Sequence, residues 1–173
     1  MEDLHLRTET ADDYQRVFDL NYRAFGNRED ESRLIERLRE SADFIPELSI
    51  VAVENEMVIG HILLSGAKVT DGIAAHNVIA LAPIAVHPDY QGKGVGGRLI
   101  EEGLSRCKAL GYGLVLLIGH PSYYPKFGFT PARAFGLELK QFEVPDEVFQ
   151  VYELQEGQLG DIKGELRYPE AFF

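Results

Sequence analysis

The sequence predicts an α/β fold: a mixed, mostly antiparallel central sheet flanked by helices. Three observations carry that expectation. Apolar segments separated by short polar turns run from Leu48 to Val86, the pattern of an antiparallel meander. A helix-periodic stretch follows, from Val95 to Cys107. Then comes an unbroken apolar run, Leu114 to Ile118, which lacks alternation and so suits a strand buried on both faces. Strand, helix and buried strand make a βαβ unit, whose two strands pair in parallel.

Each element has its own signal. Leu4-His5-Leu6-Arg7 alternates and reads as a short first strand. Thr10 with Asp13 three residues on has the spacing of a capping box. Tyr14, Val17, Phe18, Asn21, Tyr22 and Phe25 then fall on one helical face, and Gly26-Asn27 ends that helix. A second helix turns Leu34, Ile35 and Leu38 inward and leaves Glu31, Arg33, Glu36, Arg37 and Arg39 in solvent. Leu48 to Val53 and Met57 to Leu64 form a hairpin around Glu54-Asn55-Glu56, and Thr70-Asp71-Gly72 marks the next turn. A strand occupies Asn77 to Val86 and breaks at His87-Pro88-Asp89.

In the following helix Val95, Leu99, Gly103 and Cys107 recur every four residues, with Ile100 and Leu104 beside them; Glu101, Glu102, Ser105, Arg106 and Lys108 face away. Cys107 thereby reads as a small core residue. Gly119-His120-Pro121 breaks the buried strand, Ser122 to Phe127 reads as a short helix, and Gly128-Phe129 stops it. Val148 to Leu154 and Gly164 to Tyr168 read as the last strands. With no repeat, low-complexity segment or linker, the 173 residues are expected to form one domain, 1–173.

Composition narrows the function classes. Seventeen Lys and Arg against 28 Asp and Glu give a net charge of −11, which argues against a nucleic-acid surface. The same charge suits a cationic acceptor such as an amine, and equally suits simple solubility. No apolar run approaches the ~20 residues that span a bilayer, so no membrane role is expected. The single cysteine excludes an internal disulfide. Met1-Glu2-Asp3 lacks the core of a signal peptide. These points favour the cytoplasm. No His, Cys and Asp cluster has metal-ligand spacing, so no metal is expected.

The stretch that carries chemistry is Gln91-Gly92-Lys93-Gly94-Val95-Gly96-Gly97-Arg98. The first turn of a helix leaves backbone N–H groups without intrahelical acceptors, and its dipole end is partly positive. Glycines at 92, 94, 96 and 97 let an anion approach the backbone, and Lys93 and Arg98 add positive charge. Four glycines weaken a helix start by roughly 1 kcal/mol each relative to Ala, which points to a bound phosphate. The loop is not a Walker A motif, because Gly94 is followed by Val95-Gly96 and not by Lys-Ser/Thr. Gly92, Gly94 and Gly97 match Gly-x-Gly-x-x-Gly, but the antiparallel hairpins that precede them are not a Rossmann context.

Gln91-x-x-Gly94-x-Gly96 resembles the Q/R-x-x-G-x-G/A pyrophosphate loop of the GNAT superfamily, the Gcn5-related N-acetyltransferases. Leu81 to Pro88 resembles that family's fourth strand, and Tyr123-Tyr124-Pro125-Lys126-Phe127-Gly128-Phe129 resembles its F-Y-x-x-x-G-F block. Gly164 to Phe172 is similar to the C-terminal segment of the YhbS-like bacterial acetyltransferases. The resemblance implies a V-shaped splay between two parallel strands, and places the loop between the first two helices on the acceptor side. It also implies acetyl-CoA as co-substrate and an amine acceptor.

On that reading Gln91, Gly92, Lys93, Gly94, Val95, Gly96, Gly97 and Arg98 hold the coenzyme A pyrophosphate. The backbone of Ile84, Ala85 and Val86 pairs with the pantetheine arm, as a peptide adds to a sheet edge. Tyr124 is the expected general acid for the leaving thiolate, since a phenol donates near the acidity of a thiol; the plainer alternative is a core aromatic beside Tyr123, Phe127 and Phe129. His120 is the candidate base, or else a loop histidine packed beside Pro121. The expected function is N-acetylation of a primary amine, on a small molecule, peptide or protein, by direct attack; the alternative is a coenzyme A-binding sensor without turnover. Ala171-Phe172-Phe173 suits packing on its own domain or on a second copy, as a homodimer.

Overall fold

The computed structural model describes residues 3–173. In chain order the regular elements are β1 (His5–Thr8), α1 (Tyr14–Ala24), α2 (Asp30–Arg39), β2 (Ser49–Glu54), β3 (Met57–Asp71), β4 (Ala74–Val86), α3 (Val95–Ala109), β5 (Leu114–Ile118), β6 (Thr130–Pro131), β7 (Leu137–Leu139), β8 (Phe149–Glu153), α4 (Gln158–Asp161) and β9 (Gly164–Arg167). The expected class is found: a mixed, mostly antiparallel sheet flanked by helices, with β4 and β5 parallel. The chain divides into two compact units. One comprises the stretch ending at Ser65 with Ala82–Arg106 and Ala171–Phe173; the other comprises Gly66–Leu81 and Cys107–Glu170.

In the first unit β1 pairs antiparallel with β2, from His5 opposite Val53 to Thr8 opposite Ile50, and β2 pairs antiparallel with β3. The helices bury Val17, Leu20, Ile35 and Leu38 against Val51, Val53, Val58, Leu63 and Ala85. Burial of each Val, Leu or Ile side chain among these contributes about 1.5–3 kcal/mol. The expected capping box forms, with the Thr10 N–H donating to the Asp13 carboxylate at 2.8 Å. Gly26 and Asn27, both at positive φ, end α1.

The face of α1 differs from expectation in part. Leu20 is buried, whereas Tyr14 and Tyr22 are exposed. Arg39 explains Tyr14: its guanidinium carbon lies 3.9 Å from the ring centroid, so the ring packs on a cation and not in the core. Helix α3 lies close to β3 because two glycines allow it. A Cβ at Gly60 would stand 2.9 Å from Leu99 Cδ1 and 3.0 Å from Val95 Cγ1, and one at Gly103 would stand 2.8 Å from Leu64 Cδ1.

In the second unit β4 and β5 pair in parallel at Ile79 with Val115 and Ala80 with Leu116. β5 is antiparallel to β8 along its whole length, from Leu114 opposite Glu153 to Ile118 opposite Phe149, and β6 adds to the far side of β8. β9 pairs antiparallel with the end of β3 and parallel with β7. That second parallel pair, the short strands β6 and β7, and α4 were not expected from the sequence. They are two to four residues long, too short for a period to register. β3 also runs seven residues past the expected Leu64, to Asp71. The expected helix at Ser122 to Phe127 is a single 3-10 turn, Tyr124–Phe127, closed by Gly128 at φ 102°.

Candidate active site

The glycine loop belongs to the first unit. Strand β4 ends at Val86, and the His87 N–H donates to Ile59 O at 2.8 Å. A 3-10 turn, Pro88–Tyr90, turns the chain, with His87 Nδ1 accepting from the Asp89 N–H at 3.1 Å. The Gln91 side-chain amide donates back to Val86 O at 3.1 Å, tying the start of the loop to the end of the strand. Gly92 and Gly94 follow at φ 76° and 86°. For any residue with a Cβ that left-handed conformation costs roughly 1–2 kcal/mol. Two of the four loop glycines are therefore required by the backbone alone. Gly96 and Gly97 are not of that kind; they stand in the first turn of α3.

Arg98 N–H donates to Gly94 O at 3.2 Å and closes that first turn. The N–H groups of residues 95–97 precede it, where an α-helix offers no internal acceptor. Val95 contributes only its N–H, because its side chain is 1 % exposed and packs inward. Gln91, Gly92, Lys93, Gly94 and Arg98 are exposed. Among the described residues, no heavy atom beyond the glycine and its two chain neighbours lies within 4 Å of where a Cβ would stand at Gly92 or Gly94, so the loop presents bare backbone to open space. A diphosphate fits this donor set: unpaired amides, a positive dipole end and two cations. Lys93 Nζ lies 5.5 Å from the Tyr90 ring centroid. In β4 Ala85 is buried, with Ile84 and Val86 partly so.

Tyr124 and His120 belong to the second unit. After β5 the Gly119 N–H donates to Val148 O at 2.9 Å, and His120 O accepts from the Tyr123 and Tyr124 N–H groups at 3.3 and 3.5 Å. Tyr124 opens the 3-10 turn and is partly buried. Its ring meets Tyr123 edge-on at 5.1 Å between centroids and Phe129 at 5.8 Å. Burial, with Tyr123 beside it, pushes the phenol up to about 12. The hydroxyl therefore stays protonated across the neutral range, and complete loss of its proton is harder than for a phenol in water. His120 is exposed.

Three features escaped sequence reasoning. Gln150, 1 % exposed in β8, donates to Gly119 O and His120 O. Its signal was a lone amide between the apolar Phe149 and Val151. A cavity of about 420 Å³ in the first unit is lined by Glu29, Asp30, Glu31, Arg33, Leu34, Arg37 and Phe172, next to the loop between α1 and α2. A buried polar chain joins Arg39, Glu9, Ser49 and His61: Arg39 donates twice to Glu9, and Ser49 Oγ lies 2.9 Å from both Glu9 Oε1 and His61 Nε2.

That last set has the residue types of a hydrolytic triad but not its chemistry. The Ser49 proton goes to the Glu9 carboxylate, so His61 Nε2 must donate and cannot act as a base. Burial holds His61 neutral and pushes it down to about 4. Cys107 is also buried, and its thiol is pushed up to about 12. Among the described residues no group of His, Cys, Asp and Glu side chains is placed to hold a metal. Nor is any helix among them long and apolar enough to cross a membrane.

Known proteins are similar to this chain in sequence and in fold. A profile described as acetyltransferase (GNAT) domain matches residues 5–132. Two Escherichia coli K12 proteins named as uncharacterized N-acetyltransferases are similar in sequence. YjhQ is 35 % identical over 135 residues, 78 % of this chain and 74 % of its own; YhbS is 32 % identical over 143 residues, 82 % and 83 %. The crystal structure of Escherichia coli YhbS in complex with CoA superposes with a TM-score of 0.88 over 98 % of this chain and 92 % of that one, at 29 % identity. A Brucella melitensis GNAT family acetyltransferase in complex with acetyl-CoA superposes at 0.77 over 98 % of both chains, at 28 % identity. The chain belongs to the GNAT acetyltransferase family.

Proposed function

We propose that this protein is an N-acetyltransferase that moves the acetyl group of acetyl-CoA to a primary amine by direct attack. The observation that carries the reading is the bare loop at Gly92 and Gly94 leading into the unpaired first-turn amides of α3. The coenzyme complexes of the two related structures support the same assignment. The amides of residues 92–97, with Lys93 and Arg98, hold the diphosphate, and Gln91 braces the loop. The backbone of Ile84, Ala85 and Val86 pairs with the pantetheine amides, beyond the last parallel pair at Ala80 and Leu116.

When bound, acetyl-CoA supplies an acyl carbon activated as a thioester. The uncharged amine nitrogen forms the new C–N bond and the C–S bond breaks, with its electron pair going to sulfur. Tyr124 gives its hydroxyl proton to that sulfur. The proton shed by the amine passes to His120 or to water, and returns the phenol to its protonated form. With its acidity weakened by burial, Tyr124 stabilises the departing sulfur as a hydrogen-bond donor before it yields the proton.

The acceptor side is assigned to the cavity beside α2; of its lining carboxylates Glu29 pairs with Arg33 and Glu31 with Arg28, and Asp30 is the one assigned to meet a cationic amine. Residues 1–173 are read as one GNAT domain working in the cytoplasm. Release of thiol from acetyl-CoA in the presence of an amine panel tests the function, with Tyr124→Phe alongside. Loss of roughly 10–100-fold in turnover with unchanged acetyl-CoA binding supports the acid role. Equal rates exclude it, and tight binding without turnover on any amine favours a coenzyme A sensor.

A further inference from the structure

Gln150 lies in β8 between the buried Phe149 and Val151, opposite Leu117 of β5 and Pro131 of β6. Its Nε2 donates to Gly119 O at 3.1 Å and to His120 O at 3.4 Å. Two carbonyl partners fix which end of the amide is the nitrogen. Oε1 is buried with no hydrogen-bond partner among the described residues. A buried acceptor without a donor is a burden on stability, and an apolar side chain would avoid it. What the amide adds at this position is its grip on two successive carbonyls.

Those carbonyls bracket the seat of Tyr124. His120 O also accepts the Tyr123 and Tyr124 N–H groups, so the atom that orients the Tyr124 backbone is one that Gln150 holds. Gly119 forms the surface on which the Tyr124 ring rests, with the ring where a side chain would begin. Gln150 grips the carbonyl of that residue too.

We propose that Gln150 is the positioning residue for Tyr124: it locks the Gly119-His120 turn from which the phenol is presented to the leaving sulfur. The inference rests on the assignment of Tyr124 as proton donor. It is tested with Gln150→Leu, Gln150→Glu and Tyr124→Phe. In amide hydrogen exchange, Gln150→Leu is expected to speed exchange at the Tyr123 and Tyr124 N–H groups tenfold or more, with the amides of α3 unchanged. Unchanged exchange at residues 123 and 124 overturns the proposal whatever the turnover. Should the leucine variant fail to fold, Gln150→Glu carries the same measurement, because an ionised carboxylate donates to neither carbonyl.

Turnover is followed as thiol release from acetyl-CoA with spermidine and a lysine peptide as amines. Gln150→Leu is expected to lower kcat about tenfold or more, with KM for acetyl-CoA unchanged and no further loss in the Tyr124→Phe background. For Gln150→Glu the rate relative to the parent should rise as pH falls, since the protonated acid regains one donation. A leucine defect that multiplies the Tyr124→Phe defect overturns the proposal, as does full kcat in Gln150→Leu beside a slow Tyr124→Phe. Full turnover in Tyr124→Phe removes instead the acid role on which the proposal stands.

Discussion

Gly119 and Tyr124 are in contact where no side chain fits: a Cβ at Gly119 would overlap Tyr124 Cε2 and stand 2.9 Å from Cδ2. The obstacle is a partly buried ring wedged edge-on against Tyr123 and Phe129, so it has little room to yield. Gly119→Ala is therefore expected to push the phenol from its place. Turnover should fall toward that of Tyr124→Phe, and overpacking should destabilise the fold by about 1–3 kcal/mol. Denaturant titration and thiol release measure the two effects separately.

The loop glycines separate strain from ligand contact. Gly92→Ala and Gly94→Ala each force a side chain into a left-handed conformation, at a cost of roughly 1–2 kcal/mol. Among the described residues, neither Cβ meets an atom within 4 Å beyond its own chain neighbours. A loss of acetyl-CoA affinity at either position then reports a Cβ in the way of the bound ligand or a loop displaced from it. Calorimetric titration is expected to show affinity falling tenfold or more for Gly94→Ala, whereas Lys108→Ala, at the exposed far end of the helix, leaves it unchanged.

Acid should weaken the first unit in two stages. His61 is buried neutral, with its pKa lowered from 6.5 to about 4 by desolvation. Between those values the unfolded chain takes up a proton that the folded chain does not, so stability present above pH 6.5 is lost as pH falls toward 4. The loss is on the order of 3 kcal/mol. Asp13 is held down to about 2, first by its hydrogen bonds from Arg7. Its contribution is lost at lower pH still, as pH falls from 3.8 through 2. Denaturant melts from pH 8 to 2 read both stages, and His61→Gln is expected to flatten the first.

Cys107 gives a negative control for covalent catalysis. Its thiol is fully buried and pushed up to about 12, so no thiolate is present at neutral pH. Cys107→Ala should keep full turnover, the native protein should resist thiol reagents, and no acetyl-enzyme should appear by mass spectrometry after mixing with acetyl-CoA.

The sequence spelled out the parts of this fold that repeat. α3 was legible because Val95, Leu99, Gly103 and Cys107 recur at one spacing over four turns, and β5 because five apolar residues stand together between breaks. The glycine loop was legible because four glycines crowd a helix start: Gly96 and Gly97 weaken its first turn, whereas Gly92 and Gly94 serve the left-handed backbone ahead of it. The Tyr124 seat was legible only as a motif. What holds it, Gln150 across from Leu117 and a missing side chain at Gly119, depends on strand register between residues some thirty positions apart, which no local period encodes. The same is true of Glu9, Ser49 and His61, which three different segments bring together. Arg39 drew Tyr14 out of its expected place for that reason also.

The most direct test is a thermal melt of the purified protein with acetyl-CoA, and with ATP and NAD as controls. At 100 times its dissociation constant a ligand of the folded state adds about 2.7 kcal/mol, a rise of several degrees for a chain of this length. The expected result is a rise with acetyl-CoA that ATP and NAD do not match and that Gly94→Ala diminishes. A well-folded protein whose melting temperature acetyl-CoA leaves unmoved would contradict the assignment of the loop at Gly92 and Gly94 as the donor site.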